Sequence, residues 1–478
     1  MSHKRGVVVK TNKFGIASIA GLLALAGAAV SLCVSLSSSG SDATLPSRPL
    51  RALADLTSID NSMSDIPALE GMDAKVEAYM RQWALRGVSL SIMKDDSLVY
   101  AKGYGWADEE KSVAMSPSAI LRVASVSKLI TATGIMVLRD RGLINLSDTV
   151  FGQRGILKDS SYNSVIRDPN YAKITVEDLL RHKGGFTSYG GDPMFSTRYL
   201  MLQNGLSIPP DAETILRLQL RRRLRFTPGT SQYYSNFGYL LLSLIIEKVS
   251  GQDYESFMQE NVLRPAGCTD MHIAYNYYDQ RYPNETRYYN GADNGLVLEY
   301  NNSGNMVDRC YGGNDIRSLS GAGAWVTSTP ELARFVASID GRDEVPDIIS
   351  AESVRLMTQW FDEQTYSLGW NDTKPDGEWT RTGTFSGTSA LVKCYPDGEC
   401  WIMVTNTSTW KGPSFTKYTA GLFHRLRESY SVVLPKRDMF YTTIPTSKAH
   451  EAPTIEPIES HIPSSEAVPL HNVASGIR

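Results

Sequence analysis

Ala124-Ser125-Val126-Ser127-Lys128 opens an apolar run. A serine and a lysine three residues apart on one helix face are neighbours, with Cβ atoms about 5–6 Å apart. A lysine so placed takes the serine's proton when burial and the positive end of the helix dipole disfavour its ammonium. The spacing by itself is cheap, and the chain carries its own controls at Ser91/Lys94, Ser408/Lys411 and Ser414/Lys417. The first lies in an alternating strand, where residues three apart face opposite ways, and the second runs into Gly412-Pro413, which interrupts a helical turn. The third is compatible with a helix N-cap followed by a solvated lysine. Ser125/Lys128 is set apart by two groups of residues further along the chain. Tyr234 and Asn236, in a loop before an apolar helix, can project a phenol and an amide into one cleft. A phenol acidified by a neighbouring ammonium relays a proton to a leaving group. Tyr282/Asn284, Tyr288/Asn290 and Tyr300/Asn302 repeat the pattern among turn residues. Arg381-Thr382-Gly383-Thr384 then precedes the last hairpin. Glycine there lets a substrate approach the strand backbone, and the N–H groups of Thr384 and Ser125 can form the two halves of an oxyanion hole.

In this order and context the residues resemble the serine β-lactamase and penicillin-binding-protein superfamily, whose members carry S-x-x-K motifs. Tyr234-Ser235-Asn236 resembles its class C β-lactamase-like branch. The likeness runs from about residue 68 to 432 and includes Gly103-Tyr104-Gly105-Trp106, Ile174 to His182, Arg264-Pro265-Ala266-Gly267 and Tyr366-Ser367-Leu368-Gly369-Trp370. It implies an α+β fold of the β-lactamase/transpeptidase type: a mostly antiparallel β-sheet flanked by helices, an inserted all-helical lobe, and the active site between them. It also implies acyl transfer without a metal or organic cofactor. Ser125 attacks a carbonyl, Lys128 and Tyr234 carry protons, Asn236 holds the substrate amide, Thr382, Gly383 and Thr384 line the substrate, and water releases the acyl group. Arg381 stands where the family commonly has Lys or His. Because Arg keeps its charge, it is expected to grip a substrate carboxylate, with a structural arginine paired to an acidic neighbour as the alternative. His182-Lys183-Gly184-Gly185 departs from the family's frequent His-Thr-Ser-Gly, and His182 is read as structural.

The elements that must position these groups are visible as pattern. Val88 to Ile92 and Leu98 to Tyr100 flank Asp95-Asp96-Ser97 as one hairpin, and Ala390 to Lys393 and Trp401 to Val404 flank Pro396-Asp397-Gly398 as another. Helical stretches lie between, including Ser125 to Arg141 and Tyr239 to Val249, stopped by Gly142 and Gly251. Strands at both ends with helices inside predict one sheet assembled from the two termini.

The 48 Lys and Arg against 51 Asp and Glu, a formal net charge of −3, give no general attraction to nucleic acid. The five cysteines show no zinc spacing. Cys394 and Cys400 flank the Pro-Asp-Gly turn, either as a disulfide in an oxidising compartment or as two free thiols. Residues 1–13 are basic. The uncharged residues 14–36 are long enough as a helix for a bilayer core, and the charge asymmetry predicts an N-in signal anchor, with a cleaved signal peptide as the close alternative. Either places the catalytic part outside the cytoplasm, membrane-anchored or secreted; a mitochondrial intermembrane-space location is a variant. Residues 37–56 have linker composition, 57–443 form the hydrolase domain, and 444–478 have the composition of a disordered tail. The expected function is a serine hydrolase acting through an acyl-enzyme on a small-molecule or peptide substrate: a β-lactam, a D-amino-acid peptide or a carboxylic ester. The alternative is a catalytically weak scaffold or receptor of the same fold. No G-x-S-x-G occurs to support a Ser-His-Asp hydrolase.

Overall fold

The computed structural model describes residues 51–186, 191–291, 295–362 and 365–443. The expected basic segment, the anchor at 14–36 and the tail at 444–478 lie outside these residues. No described helix is long and apolar enough to cross a membrane.

Both sequence-predicted hairpins form. Strands β1 (Gly87–Lys94) and β2 (Ser97–Asp108) turn through Asp95 and Asp96, at φ 47° and 56°. Aspartate is among the few side chains that accept this left-handed geometry. After the short β3 (Val113–Ala114) the chain leaves the sheet, and returns as β4 (Asp372–Thr373), β5 (Trp379–Phe385), β6 (Thr388–Cys394) and β7 (Glu399–Thr405). The spatial order is β4-β5-β6-β7-β1-β2-β3. Every neighbouring pair is antiparallel, and β7 pairing with β1 joins the C-terminal hairpin to the N-terminal one, as expected. Cys394 pairs with Cys400 across β6 and β7, and the two form a disulfide.

Both faces of the sheet are covered. Val88, Leu90, Ile92, Trp401 and Met403 pack on helix α1 (Glu70–Trp83), through Met72, Val76 and Tyr79, and on the C-terminal helix Phe415–Tyr430, through Phe415, Phe423 and Leu426. The opposite face, with Ala390, Val392, Ile402 and Val404, joins the larger core that includes Leu332, Phe335 and Val336 of helix Thr329–Ala337. The alternating serines of β1 are therefore dry: Ser89 and Ser91 hydroxyls meet Thr329 Oγ1 at 2.7 and 2.9 Å. A small hydroxyl there satisfies its own hydrogen bond while letting a helix pack closely.

Two helices from the inserted segment carry the site. Helix α2 (Ser127–Asp140) is buried from Ser127 to Leu138, matching its nearly all-apolar sequence. It starts two residues later than the pattern predicts, because Ala124–Val126 forms a tight 3-10 turn with Ala124 at φ 47°. Helix α3 (Asn236–Ser250) is capped by Ser235, whose Oγ accepts the Gly238 N–H, and closed by Gly251 at φ 73°. At the boundary assigned to a linker, Arg51–Leu53 already pairs with Tyr441–Thr443, so the folded unit includes residues 51–56. That pairing joins residues nearly 400 positions apart and has no local signature.

Candidate active site

The turn bearing Ser125 is held from three sides. Leu121 and Arg122 pair with Thr327 and Val326 of strand Trp325–Thr327, the Val123 N–H donates to Trp325 O at 3.1 Å, and the Trp325 N–H donates to Ser127 Oγ at 3.1 Å. Thr388 Oγ1 of β6 donates to the Arg122 carbonyl at 2.6 Å. Ser125 itself is only half-buried while its neighbours are buried, which leaves the hydroxyl reachable.

Two sequence-predicted residues converge on it, and a third, Asn236, reaches it through Lys128. Lys128 Nζ lies 3.2 Å from Ser125 Oγ and the Tyr234 hydroxyl 2.8 Å from the same atom. Lys128, fully buried, also donates to Asn236 Oδ1 at 2.7 Å and to the Ala322 carbonyl. The controls stay apart. Tyr288 OH is spent on Glu285 at 2.8 Å, and Ser414 and Lys417 are exposed.

Burial pushes the Lys128 ammonium below its usual range; the Tyr234 phenol opposes this and the Arg381 guanidinium reinforces it. For Tyr234 burial alone would raise the phenol, but the charges of Lys128 and Arg381 outweigh it and hold the phenol below its ordinary value. His182 packs its ring 4.4 Å from that of Tyr234. Burial, then Lys128 and Arg381, hold this imidazole well below 6.5. It is a neutral structural group whose Nδ1 accepts the Ser235 N–H at 3.2 Å.

Arg381 stands differently from expectation. Arg381 is fully buried and turned inward: Nε and Nη2 both donate to the Ser125 carbonyl, at 2.8 and 2.5 Å. It grips the backbone of Ser125 instead of presenting a fork to a substrate carboxylate, because β5 runs against the Ser125 turn. It pairs with no acidic neighbour among the described residues either. Asn236 places Oδ1 on Lys128, while its Nδ2 donates to Asp192 Oδ2 at 2.8 Å.

The other β5 residues lie along the site. Gly383 is pressed against the turn: a Cβ there would collide with the Val123 carbonyl and lie 3.0 Å from Ser125 N. Thr382 donates through N and Oγ1 to Asn371 Oδ1, at 2.6 and 3.0 Å. N–H groups two apart point to the same strand edge, and β4 ends opposite Trp379 and Thr380, so the Thr384 N–H faces the unpaired edge of β5.

Sequence reasoning missed Asp192 and the Ala322 carbonyl. The run Ser320-Gly321-Ala322-Gly323 was the available signal for the latter, since small residues let a backbone carbonyl approach α2. A cavity of about 350 Å³ is walled by Phe186, Asp192, Tyr233, Tyr234 and Phe237. A larger one, about 890 Å³, is lined by Lys183, Gln232 and Trp360 and contains none of the site residues. The smaller is the relevant one because it shares the Tyr234 wall.

Known proteins carry the same framework. A Bacillus subtilis (strain 168) protein provisionally named as a penicillin-binding protein is 25% identical over 331 residues, 69% of this chain and 72% of that protein. An Escherichia coli O157:H7 protein provisionally named as a D-alanyl-D-alanine carboxypeptidase is 28% identical over 333 residues, 65% of this chain and 72% of its own length. Among solved structures, a D-amino acid amidase from Ochrobactrum anthropi SV3 superposes with a TM-score of 0.58 at 20% identity, covering 76% of this chain and 98% of that one; this likeness shows a shared fold. The model of the Beta-lactamase family matches residues 72–423, nearly the whole span from α1 to the C-terminal helix, and the chain belongs to that family.

Proposed function

We propose that this protein is a serine hydrolase of the class C β-lactamase-like type, which forms an acyl-enzyme on Ser125 from an amide or ester and releases the acyl group to water. The observation that carries this reading is the coordination of Lys128 Nζ. Two of its hydrogens are taken by Asn236 Oδ1 and the Ala322 carbonyl, which only accept. Its remaining position, a lone pair in the amine or an N–H in the ammonium, faces Ser125 Oγ. Proton exchange is thereby directed at the nucleophile.

As Ser125 Oγ attacks the substrate carbon, its proton passes to Lys128, and the carbonyl oxygen becomes an oxyanion facing the N–H groups of Ser125 and Thr384. When the tetrahedral carbon expels the leaving group, the Tyr234 hydroxyl, on the same Oγ, gives it a proton and takes back from Lys128 the proton that left Ser125, so both groups are restored. Water repeats these steps on the ester. Relatives and fold neighbours named for D-alanyl-D-alanine carboxypeptidase and D-amino acid amidase activity support an amide or peptide bond next to a D-amino acid as the first substrate class to test. The basic flank before the apolar segment supports a catalytic part outside the cytoplasm.

A panel of carboxylic esters, D-amino-acid amides and peptides, and a chromogenic cephalosporin tests the reading. Hydrolysis of at least one is expected, with kcat falling more than about a thousandfold in Ser125→Ala. A fluorophosphonate should label Ser125. Labelling at Ser91 or Ser414, or turnover untouched by Ser125→Ala, refutes the assignment.

A further inference from the structure

Asp192 lies outside the motifs that mark this site, yet it ends a continuous chain of hydrogen bonds that reaches the nucleophile. Its Oδ1 accepts the Met194 N–H at 3.0 Å, its Oδ2 accepts from Asn236 Nδ2 at 2.8 Å, Asn236 Oδ1 accepts from Lys128 at 2.7 Å, and Lys128 faces Ser125 Oγ at 3.2 Å. The order of donors and acceptors leaves one arrangement. A flipped Asn236 amide would set NH₂ against the lysine's hydrogens and its carbonyl oxygen against a carboxylate, two repulsive contacts in a buried place. The Asp192 carboxylate thus dictates which end of Asn236 meets Lys128. The Met194 N–H in turn fixes the carboxylate, which caps the tight turn Pro193–Phe195.

Asp192 makes no ion pair with any described residue, so its negative charge is not cancelled by one of them. The other groups facing Lys128 are the rings of Tyr234 and Tyr239, 4.9 and 5.4 Å from Nζ, the Arg381 guanidinium, and the neutral His182. Arg381 and burial disfavour the ammonium, while Asp192 and the Tyr234 phenol favour it.

We infer that Asp192 is the positioning residue of this site: through the Asn236 amide it holds Lys128 with its open position on Ser125 Oγ, and its charge balances that of Arg381. The inference rests on the Ser125 hydrolase reading. It is tested on the purified full chain by the rate of fluorophosphonate labelling as a function of pH, which needs no knowledge of the natural substrate. In the wild type the rate should rise with pH as Lys128 loses its proton. Asp192→Asn keeps a hydrogen bond to Asn236 but removes the charge that favours the ammonium, so the acid limb should move to lower pH by at least about half a unit. Asp192→Leu removes the hydrogen bond as well, and should lower the plateau rate about ten- to a hundredfold, within the range of a disturbed proton transfer. An acid limb unmoved in Asp192→Asn overturns the inference whatever the plateau does, because a merely structural aspartate would change the rate or the melting temperature without shifting the limb. If Asp192→Asn does not fold, Asp192→Glu decides. Displacing the carboxylate by one methylene should cut the plateau at least about fivefold, and an unchanged plateau refutes the role. A wild type that is not labelled at Ser125 overturns the proposed function and this inference with it. A labelled wild type with an unmoved variant overturns the inference alone.

Discussion

Arg381 spends both Nε and Nη2 on one carbonyl, that of Ser125, so its loss is felt at the Ser125 turn before any substrate binds. Arg381→Ala should lower kcat about ten- to a hundredfold, and by the same factor for neutral and carboxylate-bearing esters, as expected when hydrogen bonds from a charged donor are removed. A loss confined to the carboxylate-bearing substrates in matched kinetic assays would return the guanidinium to substrate recognition. His182 makes a different prediction, about stability. Folded, its imidazole stays neutral well below 6.5, whereas the unfolded chain binds a proton there near pH 6.5. The unfolded state therefore holds more protons just below that pH. The contribution is complete above about pH 6.5 and is lost as pH falls, by about 1.4 kcal/mol per pH unit until the folded pKa is reached. Urea midpoints at pH 8 and pH 5 should separate more for the wild type than for His182→Gln. Equal separations would mean that His182 carries none of the acid sensitivity.

At the scale of elements, β5 brings its backbone against the Ser125 turn, and Gly383 is where contact is closest. A Cβ there meets the Val123 carbonyl, which is backbone and cannot swing aside. Gly383→Ala should therefore push β5 from the turn and misplace the Thr384 N–H. Activity and fluorophosphonate labelling should fall at least about a hundredfold, the scale of losing one oxyanion donor. Far-ultraviolet circular dichroism should stay close to the wild type, since β5 to β6 pairing continues from Trp379 to Phe385. Full labelling of Gly383→Ala would show that the strand tolerates the shift. Element identity was readable in advance: both hairpins, the two apolar helices and their glycine stops follow from period and turn chemistry. The start of α2 was not, because the 3-10 turn at Ala124–Val126 is imposed by strand Trp325–Thr327, far along the chain.

At the scale of the whole molecule, the sheet is built from two hairpins more than 270 residues apart, joined where β7 meets β1. The Cys394–Cys400 disulfide staples the C-terminal hairpin at the end of β6 that lies beside Trp379, away from Thr384. Closing so short a loop contributes about 2 kcal/mol in the chain-entropy picture. Cys394→Ala/Cys400→Ala should lose about that much stability in urea unfolding while labelling of Ser125 proceeds at the wild-type rate. A slowed labelling rate would couple the staple to the site. The topology prediction is tested in sealed membranes. Protease added from the cytosolic side should leave the Ser125 region intact, and its digestion would reverse the orientation drawn from Lys4, Arg5, Lys10 and Lys13.

Ser125, Lys128 and Tyr234 were legible because each sits in a local context that chemistry constrains: a serine and lysine one turn apart heading a helix with no polar face, and a phenol before a capped helix; Gly383 was read as room for a substrate, whereas the Val123 carbonyl and Ser125 N occupy the place of its Cβ. Such contexts span only a few residues, so they survive in the linear chain. The duties of Arg381, Asn236 and Asp192 were not legible, since each depends on which buried donor meets which buried acceptor. Arg381 reaches a carbonyl 256 residues away, and Asn236 sits between a lysine 108 residues before it and an aspartate 44 residues before it. A charged or amide side chain has the same identity whether it faces a substrate or a backbone carbonyl. Only the packing of β5 and α3 around the Ser125 turn decides where its hydrogen bonds go.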